Sequence, residues 1–162
     1  MKEKNNMISK ILVPIDGSEH SDKALNYALD LAEKYSAEIV LLSVAQPFVA
    51  TGPMFVTQPM MPPESNIIYV KAIETAHEKM LAEVLKKAKE IKPSINISKL
   101  LVNGRPADKI VEIAKEEKFD LIVMGSRGLG GIKEFFLGSV SDRVADQASC
   151  PVLIVKKTNS SK

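Results

Sequence analysis

Five of the eight glycines in this chain fall within fourteen positions: Gly125, Gly128, Gly130, Gly131 and Gly138. They follow an apolar run, Leu121–Met124, and lead into Gly138–Ser141, where a helix is expected to start. A strand, a glycine-rich loop and a helix N-terminus in that order suit an anion. Glycine lets the backbone come close to phosphate oxygens. The orphan N–H groups of the helix start and the positive end of its dipole favour the same negative charge. Ser139 and Ser141 add hydroxyl donors. The reading is a phosphate-binding loop.

Two common phosphate loops are excluded. No glycine here is followed by Lys and then Ser or Thr, so the Walker pattern is absent. A dinucleotide G-x-G-x-x-G belongs after the first strand, where the chain has only Gly17. What stands instead is Gly125-x2-Gly128, nine residues, then Gly138-Ser139. This spacing resembles the G-x2-G-x9-G-[ST] signature of the ATP-binding universal stress proteins. The likeness extends to Val13–Ser18 (VPIDGS) after the first strand and to Cys150–Val155 (CPVLIV) near the end, so it covers nearly the whole chain.

The chain is long enough for one domain with a real core: 162 residues, 45% hydrophobic and 26% charged. Its formal charge of +2 comes from 22 basic and 20 acidic side chains that are well mixed. With no basic stripe or aromatic platform, nucleic acid is not an expected ligand. A single cysteine allows no internal disulfide. No run of eighteen apolar residues and no signal-peptide pattern is visible, so a cytoplasmic protein without a membrane span is expected.

Hydrophobic periodicity supplies the scaffold. Ile8–Ile15 reads as a strand with a continuous apolar centre, as expected for a parallel strand covered on both faces. Ser18 caps a helix whose buried face runs through Ala24, Leu25, Ala28, Leu31, Ala32 and Tyr35. Ile39–Val44 is a second strand. A helix over Ser65–Ile91 follows, with Ile73, Ala76, Met80, Val84, Ala88 and Ile91 facing inward. Ile95–Val102 alternates with polar residues like an edge strand, and Pro106 opens the next helix. Leu121–Met124, a helix over Ser139–Ala148 and Val152–Val155 complete the pattern.

Strands alternating with helices call for an α/β fold with one open, parallel five-stranded sheet and helices on both faces. The resemblance implies the Rossmann-like strand order 3-2-1-4-5, over a single domain at 7–157 with short termini at 1–6 and 158–162. In that order the first and fourth strands are neighbours, and ligands bind beyond their carboxyl ends at the switch point. The resemblance places Pro14, Asp16, Val44, Met124, Gly125, Arg127, Gly128, Gly138, Ser139, Val140 and Ser141 around the nucleotide, with main-chain groups at Val44 reading the adenine edge.

Several of these residues also have plainer roles. Asp16 suits ribose hydroxyls or a metal on the phosphates, or else an Asx turn before the helix. Arg127 suits phosphate oxygens or is a solvated loop charge, and the family often has His there. Gly130 and Gly131 lie inside the nine-residue spacer, Lys133 reads as surface, and Phe135, Phe136 and Leu137 read as packing on the sheet. Cys150, entering a buried strand, reads as structural, and His20 as exposed. The stretch 46–63 holds five of the nine prolines and three of the seven methionines without a period; it is a lid, a partner surface or disordered.

The resulting expectation is a protein that takes ATP, or alternatively AMP or ADP, with a divalent cation such as Mg²⁺ or Mn²⁺ held mainly by the phosphates. It carries no metal-ligand motif of its own. No histidine or glutamate is placed to activate water, so a binding or signalling module with at most slow hydrolysis is expected. An adenylating enzyme would need an S-G-G-x-D-S-type loop after the first strand, and a phosphoacceptor receiver would need an acidic partner beside Asp16; neither is present. The intact glycine spacing argues against a scaffold that binds no nucleotide. Val152–Val155, placed at a sheet edge, is expected to pair with its own copy in a homodimer.

Overall fold

The computed structural model describes residues 7–46, 63–129 and 137–156. Among these the order is β1 (Lys10–Pro14), α1 (Glu19–Tyr35), β2 (Glu38–Ala45), α2 (Pro63–Ile91), β3 (Ile97–Asn103), α3 (Pro106–Glu116), β4 (Leu121–Gly125), α4 (Ser139–Gln147) and β5 (Val152–Val155). The five strands form one parallel sheet in the order β3-β2-β1-β4-β5. The first strand starts two residues later than its apolar pattern suggests, at Lys10, and the third starts at Ile97 with Ile95 buried just before it.

Residue alternation in the three central strands feeds two cores. Ile11, Val13, Ile39, Leu41, Leu121 and Val123 point to the face covered by α1 and α2. Leu12, Val40, Leu42, Ile122 and Met124 point to the face covered by α3 and α4. A strand buried on both faces needs apolar residues at consecutive positions, which is why these segments read as unbroken runs.

Each helix contributes one stripe. In α1 the buried residues are Ser21, Ala24, Leu25, Ala28, Leu29 and Ala32, while Leu31 and Tyr35 are only half-buried. In α2 the expected face is partly wrong. Leu81 and Ala88 are buried and Ile73, Met80 and Val84 half-buried, but Ala76 and Ile91 are exposed. The stripe shifts because the helix leans on the sheet chiefly through its second half; Ile67, Ile68 and Tyr69 near its start stand in solvent. No helix among the described residues is long and apolar enough to cross a membrane.

The adjacency of β1 and β4 matters most for function. Ile11 stands beside Leu121 and Leu12 beside Ile122. From the carboxyl ends of this pair the chain leaves toward opposite faces, into α1 on one and α4 on the other. The sheet therefore opens a crevice there.

Candidate functional site

A crevice of about 510 Å³ lies over the carboxyl ends of β1, β2 and β4. Pro14 and Asp16 enter it from β1, Val44 from β2, and Met124 and Gly125 from β4. Arg127 and Gly128 line it from the following loop, and Gly138, Ser139, Val140 and Ser141 from the start of α4. Every site residue expected from the sequence thus borders one cavity, although β1 and the glycine loop are more than a hundred residues apart in the chain.

The β1–α1 turn is built by short side chains. The Asp16 Oδ1 accepts from the Ser18 N–H at 3.0 Å, an Asx turn that aims the chain into the helix. Gly17 has φ +81, a conformation that side chains rarely adopt, and a Cβ there would lie 2.9 Å from the Met80 sulfur. Ser18 then caps α1, its hydroxyl oxygen accepting from the Ser21 N–H at 3.2 Å. The turn reading of Asp16 holds. One carboxylate oxygen builds the turn, while Oδ2 faces the glycine loop, 2.6 Å from where a Cβ on residue 128 would sit. A carboxylate only accepts, so it suits hydroxyl donors or a cation and repels bare phosphate.

The two glycines of the first pair do different jobs. A Cβ on Gly125 would lie 2.7 Å from the His20 Cβ and 2.8 Å from its backbone carbon. Gly125 is therefore what lets α1 start against β4. His20 is correspondingly not the exposed residue its position suggested: it is half-buried, and its Nδ1 is buried without a partner among the described residues. Gly128 is exposed and meets only the tip of the Asp16 side chain. It keeps the loop open to the crevice.

The loop closes on one backbone oxygen. The Ser126 carbonyl accepts from the Gly138 N–H at 2.8 Å and from the Ser141 hydroxyl at 2.9 Å, while the Ser126 N–H donates to the Val155 carbonyl of β5 at 2.9 Å. The Ser141 hydroxyl also lies 2.9 Å from the Gly138 carbonyl. It is thus committed to holding the loop ends together, and its backbone N–H is the donor left to the crevice. Gly138 caps α4 with no side-chain hydrogen bond, so the orphan N–H groups of the first turn open into the space that Ser139, Val140 and Ser141 border.

The opposite wall is apolar. Leu42, Val44, Pro106, Ile110 and Met124 form it, a surface on which a planar ring can rest. Leu42, Pro106 and Ile110 had not been expected in the site; the position of Pro106 at the first turn of α3, beyond the end of β3, was the available signal. Ile15, Ser21, Gln46, Leu129 and His77 also line the crevice unexpectedly. Leu137 does too, exposed rather than packed on the sheet. His77 follows the inward stripe of α2, one turn before Met80 and Leu81, and its Nδ1 lies 2.8 Å from the Ser43 hydroxyl oxygen.

Cys150 lies outside the crevice. It is half-buried against the α3–α4 core, and burial pushes its thiol pKa up, which leaves a poorly reactive side chain. No group of three potential metal ligands occurs among the described residues. Gly130, Gly131, Lys133, Phe135, Phe136 and the stretch 47–62 lie outside the described residues.

Residues 7–156 match the universal stress protein family. The chain is 40% identical over 152 residues to universal stress protein YxiE of Bacillus subtilis, covering 93% of this chain and all of that one. The fold matches that of universal stress protein UspA from Lactobacillus plantarum with a TM-score of 0.77, at 22% identity over 91% of this chain and 97% of that one. A universal stress protein solved in complex with cAMP is 29% identical, with a TM-score of 0.65, covering 92% of this chain and 97% of that one.

Proposed function

Because this chain belongs to the universal stress protein family, we propose that its crevice binds ATP and that the protein works as a nucleotide-dependent stress-response module in the cytoplasm. One observation carries the reading: Asp16, Gly128 and the bare first turn of α4 meet in a single cavity with an apolar wall opposite. Phosphates sit on the glycine loop and the α4 N–H groups. Asp16 Oδ2 takes the ribose hydroxyls or a cation, Arg127 reaches the phosphates, and the purine rests between Val44 and Met124. The cAMP held by a relative supports an adenine ligand of this class.

Among the described residues Asp16 is the only carboxylate that lines the crevice, so a Mg²⁺ or Mn²⁺ ion has no protein cage and rides on the phosphates. AMP and ADP fit the same apolar wall with fewer phosphate contacts. Hydrolysis is slow, with a turnover well below ordinary enzyme values of roughly 1–10³ s⁻¹. Chromatography of nucleotide released from the purified, denatured protein, followed by calorimetry with ATP and Mg²⁺, tests the reading. A protein that carries none and binds none at millimolar concentration would overturn it.

The protein also self-associates through β5. This strand ends the sheet with Val152, Leu153 and Ile154 half-buried and a row of backbone groups on its outer side. A two-fold axis beside it would pair those groups with their own copies. Light scattering should give a dimer mass, shifted toward monomer by Leu153→Lys; a wild type that stays monomeric at tens of micromolar, an order-of-magnitude choice, would refute the pairing.

A further inference from the structure

His77, half-buried, and Ser43, fully buried, form a polar pair on the α1–α2 side of the sheet, in a place where the chain otherwise packs apolar residues. Ser43 is 1% exposed, and His77 Nδ1, 2.8 Å from its hydroxyl, is its one hydrogen-bond partner among the described residues. A buried hydroxyl that donates to nothing costs stability, so its proton belongs on this contact. Ser43 then donates, Nδ1 accepts, and the neutral ring carries its proton on Nε2. His77 itself borders the crevice.

The pair is not a nucleophile and base. Ser43 is too buried for a substrate to reach, and the one lone pair of the ring, on Nδ1, is turned to that buried hydroxyl and away from the crevice. What remains is a donor whose orientation is locked from behind. Ser43 lies in β2, two strands from β4 and its glycine loop, roughly 10 Å away at ordinary strand spacing. His77 therefore stands at the end of the crevice opposite the phosphate-binding elements, beside Val44 and Gln46.

We propose that His77 is a specificity residue that donates from Nε2–H to an acceptor on the nucleoside part of the ligand, with Ser43 as the positioning residue that fixes its tautomer. The inference rests on the nucleotide reading above and extends it to the base and sugar. An acceptor is required, so a ring nitrogen of adenine or a sugar oxygen fits, whereas the exocyclic amino group does not.

Calorimetry with ATP on the wild type, His77→Phe and His77→Gln tests the contact, with melting curves to confirm folding. His77→Phe should weaken ATP about 3- to 10-fold, the worth of one neutral hydrogen bond, and should leave competition by inorganic tripolyphosphate unchanged. Among 1-deaza-, 3-deaza-, 7-deaza- and deoxyribose analogues of ATP, one should lose affinity on the wild type and lose no more on His77→Phe. Nitrogen-15 NMR of the histidine ring, assigned with His77→Phe, should show the Nε2–H tautomer in the free wild type. Ser43→Ala should mix the tautomers and weaken ATP, and Ser43→Thr should restore both. Equal ATP affinity in wild type and His77→Phe, or an Nδ1–H tautomer in the wild type, would overturn the inference while leaving nucleotide binding intact. A wild type that binds no adenine nucleotide would remove the function and this inference together.

Discussion

At the amino end of the β1–β4 pair, the Asp120 Oδ2 accepts from the Ser9 hydroxyl at 2.7 Å, the Ser9 N–H at 2.9 Å and the Lys10 N–H at 2.9 Å. At the carboxyl end of the same pair, Asp16 gives one oxygen to the Ser18 N–H and turns the other toward the glycine loop. Both are aspartates beside the same two strands. The first gathers three protein donors on one oxygen and clamps β1 to β4. The second takes one protein donor, and its other oxygen faces a cavity. Under the proposed function, recognition falls to groups that folding does not consume, and the two ends separate stability from binding.

That separation can be attacked first at Gly125, which belongs to the stability side although it stands in the glycine loop signature. Gly125→Ala puts a Cβ against the His20 backbone, which cannot swing away as a side-chain tip can. A loss of about 3 kcal/mol in denaturant unfolding is expected, the upper part of the usual range for overpacking. Gly128→Val belongs to the other side. Its Cβ meets only the Asp16 carboxylate, so the fold should change by less than about 1 kcal/mol. ATP affinity should fall about 100-fold or more, equal to about 2.7 kcal/mol. If the two variants behave alike by unfolding and calorimetry, the division fails.

Asp120→Ala sharpens the comparison at the closed end. Removing an acceptor of three hydrogen bonds from a half-buried site should cost about 1–2 kcal/mol at pH 7 and leave ATP affinity unchanged. The hydrogen bonds from Ser9, and less strongly from Lys10, hold the Asp120 carboxyl below the usual carboxylate pKa, against an opposing effect of burial. The folded value thus lies below the unfolded one, near 3.9. The contribution is complete above that unfolded value and is lost as pH falls through it toward the folded value. The stability gap between wild type and Asp120→Ala should therefore hold from pH 7 to about 5 and shrink toward pH 3. A gap that widens on acidification would contradict the assignment.

The smallest effect concerns a residue on neither side of the division. Burial raises the Cys150 thiol pKa, so alkylation of the native protein at pH 8 should be slower than that of a free thiol and should speed up on unfolding. Equal rates would place Cys150 in solvent.

The strands and the capping serine could be read from local traces in the chain, whereas the strand order came through the family resemblance. Consecutive apolar residues mark two-sided strands, and glycine spacing marks the loop. What escaped were relations between elements. His77 looked like one more helix position because Ser43, its partner, is 34 residues earlier. Asp120 carried no signal because its donors are more than a hundred residues away. Gly125 and Gly128 looked equivalent in the signature, and only their neighbours in space divide a packing glycine from an open one.

The Ser126 carbonyl, which receives both the Gly138 N–H and the Ser141 hydroxyl, ties the end of β4 to the start of α4 independently of the chain between them. With these ends fastened at one point, chain can be added between them without altering the distance the sheet must span. The entropic charge for extra length grows only logarithmically, about 0.6 kcal/mol per doubling. An engineer wishing to turn this protein into an indicator would splice a fluorescent reporter there. The graft would sit beside the crevice, while β4 and α4 kept the joint they already have.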